Sequence, residues 1–317
     1  MHKIWFERER MPGHDAIFEG VAETVGPGTP EEPLRGIEDA NGIIAGGVLY
    51  TAEVMDRAPN LKIIARTGIG VDTVDIAAAT ERGIAVVNTP DAPSVPTAEQ
   101  TFMLLLAVAK HLKQSELRLR RSEGNFHARH DAVELSGRTL GLAGFGRIAR
   151  LVAKMGQGFN MQVIAFDPFV SNEVAEAAGV RLVERFDDLL SQADVLSTHT
   201  PLLPETRHMM NAETFAKMKR GSIFINAGRG GLVDEAALID ALTSGHLFGA
   251  GLDVTDPEPA LPDNPLLHME NVVVTPHVAS ATPEGKMRMF TGALEQVVQV
   301  FKGERPTHLV NPQVWKG

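Results

Sequence analysis

The chain has no cysteine among its 317 residues, which excludes a disulfide framework, a thiolate zinc site and a cysteine nucleophile. Basic residues are also scarce: 30 Lys and Arg face 40 Asp and Glu, a formal net charge of −10. Proteins that bind polyanions need a surplus of Lys and Arg, so we expect no nucleic-acid partner. We also expect no bound metal.

Long apolar runs are absent as well. The longest, residues 102–109, is far too short to span a bilayer, so we expect no membrane partner. Residues 1–8 carry charges where a secretory signal needs an apolar run, so we expect a cytoplasmic protein. Aromatic residues make up only 5% of the chain, and its 30 glycines favour a glycine-punctuated α/β protein over an aromatic-rich β-sandwich.

Short apolar runs alternate with helical patterns, which is typical of βαβ units and parallel sheets. The length predicts two domains, because one hydrophobic core stops growing below this size. Strands are predicted at residues 43–48, 61–65, 84–87, 139–143, 162–166, 194–197, 222–226, 249–253 and 272–275. Helices are predicted at residues 74–82, 97–121 and 283–302, and we expect the last to return to the N-terminal domain.

Residues 144–149 spell G-F-G-R-I-A, a match to the G-x-G-x-x-A fingerprint between a predicted strand and a helix. Gly144 permits the tight turn, Gly146 lets the backbone approach a pyrophosphate, and Ala149 lets helix and strand pack closely. The helix N-terminus stabilises the anion. The pattern predicts a dinucleotide site, and the alternative is a glycine-rich turn without function.

Asp167 ends the next predicted strand, about 20 residues past these glycines. An acid at this place accepts hydrogen bonds from the adenosine ribose of NAD and repels the 2′-phosphate of NADP. No arginine follows it directly, so we predict NAD as the cofactor. The alternative is that Asp167 only caps a turn before Pro168.

Charged side chains follow three predicted strands of the second half: Arg229, then Asp253 with Glu258, then His277. Ligands of open α/β sheets bind outside the carboxyl ends of the strands. Each residue has a structural alternative, since Arg229 and Glu258 suit a surface loop and His277 is one of eleven histidines. Together they supply a cation, an acid and a base on one side of one sheet, which favours a catalytic site.

This set of side chains suits the reduction of a 2-oxo acid. The reaction needs a hydride at C2, which a nicotinamide carries, and a proton on the neighbouring oxygen. A histidine exchanges that proton near neutral pH, and a nearby carboxylate raises the pKa of the imidazole. An arginine holds a planar carboxylate through two donors.

Motifs spread over nearly the whole chain resemble those of the D-isomer-specific 2-hydroxyacid dehydrogenase family. In order, they lie at residues 66–72, 88–90, 97–99, 144–149, 199–202, 218–221, 226–235, 258–259 and 275–277. The resemblance implies a Rossmann-type doubly wound parallel sheet plus a discontinuous, flavodoxin-like α/β substrate domain. Residues 1–98 and 285–317 would form the substrate-binding domain, and residues 99–284 the NAD-binding domain.

The resemblance also implies roles for single residues. His277 would be the general acid/base, Glu258 would favour its protonated form, and Arg229 would hold the substrate carboxylate. Arg66 and the backbone amides of Ile69 and Gly70 would contact the substrate as well. The implied cofactor contacts are Thr97, Gly144, Phe145, Gly146, Arg147, Ile148, Asp167, Thr200, Pro201, Thr206, Ala227, Gly228, Asp253, His277 and Ala279, with Asp253 on the nicotinamide carboxamide.

Two other functions on the same fold stay open at this point. One is an NAD-sensing, non-enzymatic regulator, although the sequence shows no long interaction tails. The other is a formate dehydrogenase-like enzyme, which pairs its histidine with glutamine where this chain has Glu258. The family further implies a homodimer, with residues 97–121 as a candidate contact. The substrate stays open among 3-phosphoglycerate, glyoxylate and hydroxypyruvate.

Overall fold

The computed structural model describes residues 1–315, apart from the side chain of Phe126. The chain divides into two compact units. One contains Met1–Pro93 and the segment that begins at Ala281, and the other is Ser94–Ser280. Residues 316 and 317, which the predicted substrate-binding domain includes, lie outside the described residues.

Strands and helices alternate along both units. The strands are β1 (His2–Phe6), β2 (Ala22–Val25), β3 (Gly42–Ala45), β4 (Ile63–Arg66), β5 (Ala85–Val87), β6 (Thr139–Ala143), β7 (Gln162–Phe166), β8 (Arg181–Leu182), β9 (Val195–Thr198), β10 (Ser222–Asn226), β11 (Leu247–Leu252) and β12 (Val272–Val274). The helices are α1 (Asp15–Phe18), α2 (Ala52–Asp56), α3 (Ile76–Glu81), α4 (Ser94–Ala109), α5 (Leu112–Arg120), α6 (Phe126–Arg129), α7 (Arg147–Gly158), α8 (Asn172–Glu176), α9 (Phe186–Gln192), α10 (Ala212–Lys217), α11 (Glu235–Thr243), α12 (Pro265–His268) and α13 (Pro283–Phe301).

The first unit is a five-stranded parallel sheet in the order β2-β1-β3-β4-β5. This is the strand order of the flavodoxin-like doubly wound fold, so the structure confirms that prediction. The neighbouring strands β3 and β4 are apolar without alternation up to Arg66 because residues on both of their faces are buried. Helix α13 packs on β3 and β4, and a Cβ atom on Gly42 would lie 2.9 Å from its Val297 and Phe301.

The second unit is a seven-stranded parallel sheet in the order β12-β11-β10-β9-β6-β7-β8. Counted within this unit, the order is 7-6-5-4-1-2-3, which is the Rossmann order 3-2-1-4-5-6 with one strand added at the edge. Its topological switch point lies between β6 and β9. Apolar cores cover both faces, one built with α4 and α7 and the other with α9, α10 and α11.

The structure corrects several predicted elements. The helix predicted over residues 97–121 is two helices, because His111 adopts a left-handed backbone (φ 49°) and ends the run. Strands β1, β2 and β8 were not predicted. Among the described residues, no helix is both long and apolar enough to cross a membrane.

Candidate active site

Five of the predicted residues follow strands of the second unit at the same edge of its sheet. Gly144 follows β6, Asp167 follows β7, Arg229 follows β10, Asp253 follows β11 and His277 follows β12. Since all seven strands are parallel, their carboxyl ends meet at one edge, where ligands of doubly wound sheets bind.

The glycine fingerprint forms the turn between β6 and α7. Gly144 has a φ of +89°, and a Cβ atom there would lie 2.9 Å from the carbonyl of His199, so only glycine fits. Ala149 is fully buried under the sheet. Gly146 precedes α7 and, having no side chain, makes no cap hydrogen bond to this helix, whose positive N-terminal end suits an anion.

Asp167 ties the end of β7 to the fingerprint. Its Oδ2 accepts a hydrogen bond from the backbone N–H of Phe145 at 2.8 Å, and its Oδ1 accepts one from Phe169 at 2.9 Å. The carboxylate therefore does cap the turn around Pro168. Each oxygen has a further lone pair, so the same group can still accept hydrogen bonds from a ribose.

His277 and Glu258 form a hydrogen-bonded pair. The Nδ1 atom of His277 lies 2.5 Å from Oε1 of Glu258, and about two fifths of each side chain is exposed. The backbone of His277 is left-handed, with a φ of 52°, and its N–H donates to the carbonyl of Asp253 at 2.7 Å. With Nδ1 engaged by the acid, Nε2 is the ring nitrogen left for a reacting oxygen.

Asp253 holds the loop that carries His277. This aspartate is fully buried, and its carboxylate accepts hydrogen bonds from Thr275 Oγ1 at 2.5 Å, Val278 N at 3.1 Å and Ala279 N at 2.8 Å. Gln100 on α4 donates to the same Thr275 hydroxyl at 3.0 Å. A buried carboxylate needs such partners, because desolvation without them is costly.

Asn226 holds the loop that carries Arg229 in a similar way. It is fully buried, donates to the carbonyl of Arg229 at 2.9 Å, and accepts from Gly228 N and from Thr198 Oγ1. The Nη1 of Arg229 donates to the carbonyl of Gly228 at 2.9 Å. The next residue is Gly230, where a Cβ atom would lie 2.0 Å from the carbonyl oxygen of Thr255, so the two loops pack in direct backbone contact.

His199, at the end of β9, is kept neutral by its surroundings. Burial lowers the pKa of its imidazole to about 4, and its Nε2 is hydrogen-bonded to Ser197 Oγ at 2.9 Å. Its backbone packs against Gly144. It therefore adds no positive charge beside the fingerprint at neutral pH.

The remaining predicted cofactor residues lie in the same unit. Thr97, on the first turns of α4, and Ala279 are buried, while Arg147 and Ile148 begin α7. Thr206 Oγ1 donates to the carbonyl of Pro201 at 2.7 Å, so it shapes its own loop. The other positions, in the turns after β9 and β10, are Thr200, Ala227 and Gly228.

The predicted substrate residues of the first unit lie at the end of β4, which Arg66 completes, and on the turn after it. Arg66 Nε donates to the carbonyl of Gly70 at 3.0 Å, and Asn88 Nδ2 donates to the carbonyl of Ile69 at 2.8 Å. Thr67 donates through its N–H and its hydroxyl to the carbonyl of Ala45, which joins this turn to the end of β3. Hydrogen bonds to Arg66, Asn88 and Ala45 thus hold the turn in place.

Comparison with protein families identifies this arrangement. Residues 102–279 match the model of the D-isomer specific 2-hydroxyacid dehydrogenase, NAD binding domain. The chain belongs to this family. NAD is the cofactor of the matched domain, and the residues fit it, because the uncapped helix start, the open space beside Gly146 and the acid at Asp167 suit a pyrophosphate and a ribose.

Relatives of this dehydrogenase family are similar over most of the chain. It is 43% identical over 298 residues to D-3-phosphoglycerate dehydrogenase of Methanocaldococcus jannaschii, covering 93% of this chain and 56% of that protein. It is 41% identical to glyoxylate reductase of Korarchaeum cryptofilum, covering 84% and 80%. The chain spans about half the length of the phosphoglycerate dehydrogenases it matches.

Two solved structures are similar over nearly all of the chain. A protein from Thermus thermophilus superposes with a TM-score of 0.87 at 41% identity, covering 97% of this chain and 99% of that one. A glyoxylate reductase from Paecilomyes thermophila superposes with a TM-score of 0.86 at 28% identity, covering 98% and 99%.

Sequence reasoning missed the supporting residues of the candidate site. Asn226, Thr275 and Gln100 each hydrogen-bond a loop or a side chain that carries a predicted role. Asn226 is the last residue of β10. A polar side chain at the end of an apolar strand is a sequence signal that could have pointed to it. Gln100 carries no such signal, because its partner lies 175 residues further along the chain.

Proposed function

We propose that this chain is an NAD-dependent dehydrogenase that interconverts small D-2-hydroxy acids and 2-oxo acids. The observation that carries the proposal is the 2.5 Å pair of His277 and Glu258 at the carboxyl edge of the NAD-binding sheet. A histidine held by a carboxylate at this edge is the arrangement a proton transfer to a substrate oxygen needs.

Each residue of the pair has a distinct part in the proposed reaction. Glu258 fixes the imidazole orientation through Nδ1, while Nε2 of His277 gives a proton to the substrate oxygen or takes one from it. Bound NAD supplies or accepts the hydride. Arg229, held by Asn226 and Gly228, is the proposed donor to the substrate carboxylate.

The proposed substrate contacts in the first unit are Arg66, Ile69 and Gly70. The hydrogen bonds that Arg66 and Asn88 make to this turn support it as a preformed site for a carboxylate. The names of the relatives above make phosphoglycerate, glyoxylate and hydroxypyruvate chemistry the first to examine.

The test is NADH oxidation against a panel of 2-oxo acids: glyoxylate, hydroxypyruvate, phosphohydroxypyruvate, pyruvate and branched analogues. Saturable turnover of at least one is the expected result. If NADH binds and no member of the panel is reduced, the enzymatic proposal fails in favour of an NAD-sensing regulator, which would bind cofactor without turnover.

A homodimer and a cytoplasmic location are further parts of this proposal. Helix α5 supports the dimer, because it buries none of its side chains within the described chain and exposes Leu112 and Leu119 by 60% and 67%. These leucines are seven residues apart, so they share one face of the helix. Cell fractionation tests the location.

A further inference from the structure

The first unit has its own topological switch point, between β1 and β3. In a sheet of order 2-1-3-4-5, ligands bind in the crevice at this point, outside the carboxyl ends of the two strands. Glu7 directly follows β1, and residues 46–48 directly follow β3. Arg66 ends the neighbouring strand β4, and the turn with Ile69 and Gly70 follows it, so the proposed substrate contacts lie at the carboxyl end of the strand next to this crevice.

The carboxylate of Glu7 accepts hydrogen bonds from four donors at this crevice. Its Oε2 accepts from Gly46 N at 2.5 Å, and its Oε1 accepts from Gly47 N at 2.5 Å and from Val48 N at 3.1 Å. The hydroxyl of Tyr50 donates to Oε2 at 2.8 Å. Successive backbone N–H groups that converge in this way form a nest, a common binding site for phosphate and other anions.

The fold is adapted to keep the carboxylate there. A Cβ atom on Gly46 would lie 2.5 Å from Oε1 of Glu7, so the absence of a side chain at Gly46 leaves room for the carboxylate in its present position. Tyr50 is fully buried, and its burial together with the negative charge of Glu7 raises the pKa of its phenol, so its hydroxyl stays a donor. Arg8, the next residue, lies against the same two glycines.

We propose that Glu7 is a specificity-determining residue that occupies the anion nest of residues 46–48 and thereby excludes substrates with a second, distal anionic group. The proposal rests on the dehydrogenase activity proposed above and narrows its substrates to 2-oxo acids with one negative charge, such as glyoxylate and hydroxypyruvate. Phosphorylated 2-oxo acids are the excluded class.

Two effects act against a distal phosphate. The three N–H groups and the phenol are already used by Glu7, so the phosphate finds no free donor in the nest. The carboxylate of Glu7 also repels the phosphate. Such repulsion favours the unphosphorylated substrate even though Glu7 makes no contact with it. An uncharged hydroxymethyl group in the same place meets neither effect.

The test compares hydroxypyruvate with phosphohydroxypyruvate, which differ only in the phosphate. We expect the full-length protein to have a higher kcat/KM for hydroxypyruvate, and Glu7→Ala to lower that preference by about 10-fold or more, since the freed donors make charge-assisted hydrogen bonds. Glu9→Ala, which removes an exposed acid of the same segment, is the control and should leave the preference unchanged. A wild-type preference for the phosphorylated substrate, or an equal preference in Glu7→Ala, overturns the proposal.

A second readout needs no turnover and therefore separates this proposal from the enzymatic one. Inorganic phosphate should raise the melting temperature of Glu7→Ala and leave the wild type and Glu9→Ala nearly unchanged, because a ligand stabilises only the form that binds it. Glu7→Ser, whose shorter side chain also leaves the nest, serves if the alanine variant does not fold. An equal response of all variants to phosphate contradicts an anion nest held by Glu7, whatever the activity.

Discussion

At the scale of single residues, one carboxylate can serve structure and ligand together. Asp167 uses one lone pair of each oxygen for a backbone N–H, of Phe145 and of Phe169. These bonds fix the carboxylate at the end of β7, so its negative charge has a defined place beside the fingerprint. The proposed preference for NAD over NADP depends on that charge rather than on the hydrogen bonds of the turn.

Replacement of Asp167 tests this. Asp167→Asn keeps one acceptor oxygen for the turn but loses the second acceptor and the charge, and Asp167→Ala loses both oxygens and the charge. Both variants should reduce the ratio of kcat/KM for NADH to that for NADPH by about 10-fold or more, because a 2′-phosphate is no longer repelled. Glu184→Gln, an exposed charge change in the same unit, is the control. An unchanged ratio in both Asp167 variants would remove this residue from the ribose site.

His199 should make stability depend on pH. Its pKa is about 4 when folded against an ordinary 6.5, so the unfolded chain binds more protons between these values. Its contribution to stability is therefore complete above pH 6.5 and is lost as the pH falls towards 4. Urea unfolding between pH 7 and pH 5 measures the effect.

Between pH 7 and pH 5 the variant His199→Gln should lose about 1–2 kcal/mol less stability than the wild type, because glutamine does not titrate. His127→Gln, which replaces an exposed histidine of α6, is the matched control and should lose as much stability between pH 7 and pH 5 as the wild type. If the two variants and the wild type lose stability equally over this range, burial of His199 is not the cause.

At the scale of elements, buried polar residues position the loops that carry the chemistry. One carboxylate holds the loop after β12, since Asp253 accepts hydrogen bonds from the hydroxyl of Thr275 and from the N–H groups of Val278 and Ala279. His277 lies between these contacts. The predicted role of Asp253 at the nicotinamide carboxamide stays a prediction, and its hydrogen bonds give it a positioning role besides.

Asp253→Asn should therefore affect both stability and activity. An amide cannot accept from all three donors, so the free energy of unfolding should fall by about 1–3 kcal/mol and kcat should fall with it. Calorimetry and steady-state kinetics measure the two effects. Asp263→Asn, an exposed position after β11, is the control. Wild-type kcat in a folded Asp253→Asn protein would mean that the loop does not need this carboxylate.

The strands that sequence predicted are those with continuous apolar runs. Residues 139–143, 162–166 and 222–226 match β6, β7 and β10 in full, because the middle residues of these strands are buried on both faces. Strand β1 escaped prediction since Lys3 and the charges after Phe6 flank its three buried residues. The break at His111 escaped too, because a left-handed histidine inside an amphipathic pattern has no local signature.

In the candidate site, too, some residues were predictable from the sequence and others were not. Residues that react, such as His277 and Glu258, were predictable because their types and their places after strands point to the chemistry, and the structure pairs them. Residues that support them, such as Asn226 and Gln100, act across strands and helices far apart in the chain. The Glu7 nest was missed for that reason as well, since its donors lie 39 or more residues away.

At the scale of the whole molecule, the proposal to test is that the chain forms a homodimer. Size-exclusion chromatography with light scattering should give about twice the chain mass of 34.2 kDa. Leu112→Glu combined with Leu119→Glu should shift the mass to the monomer, because it places charge in the proposed contact on α5. Leu261→Glu, on an equally exposed leucine elsewhere, should stay dimeric. A wild-type monomer at assay concentrations would contradict the dimer.

The central claim is that His277, held by Glu258, transfers the proton in an NAD-linked reduction. The most direct measurement is to follow kcat and the dissociation constant for NADH in parallel, for the wild type and His277→Ala, with the best 2-oxo acid. The account predicts that kcat falls by about 10²-fold or more while NADH affinity is nearly unchanged, as expected for loss of a general acid/base. Retained turnover, or an equal loss of NADH binding, would contradict it.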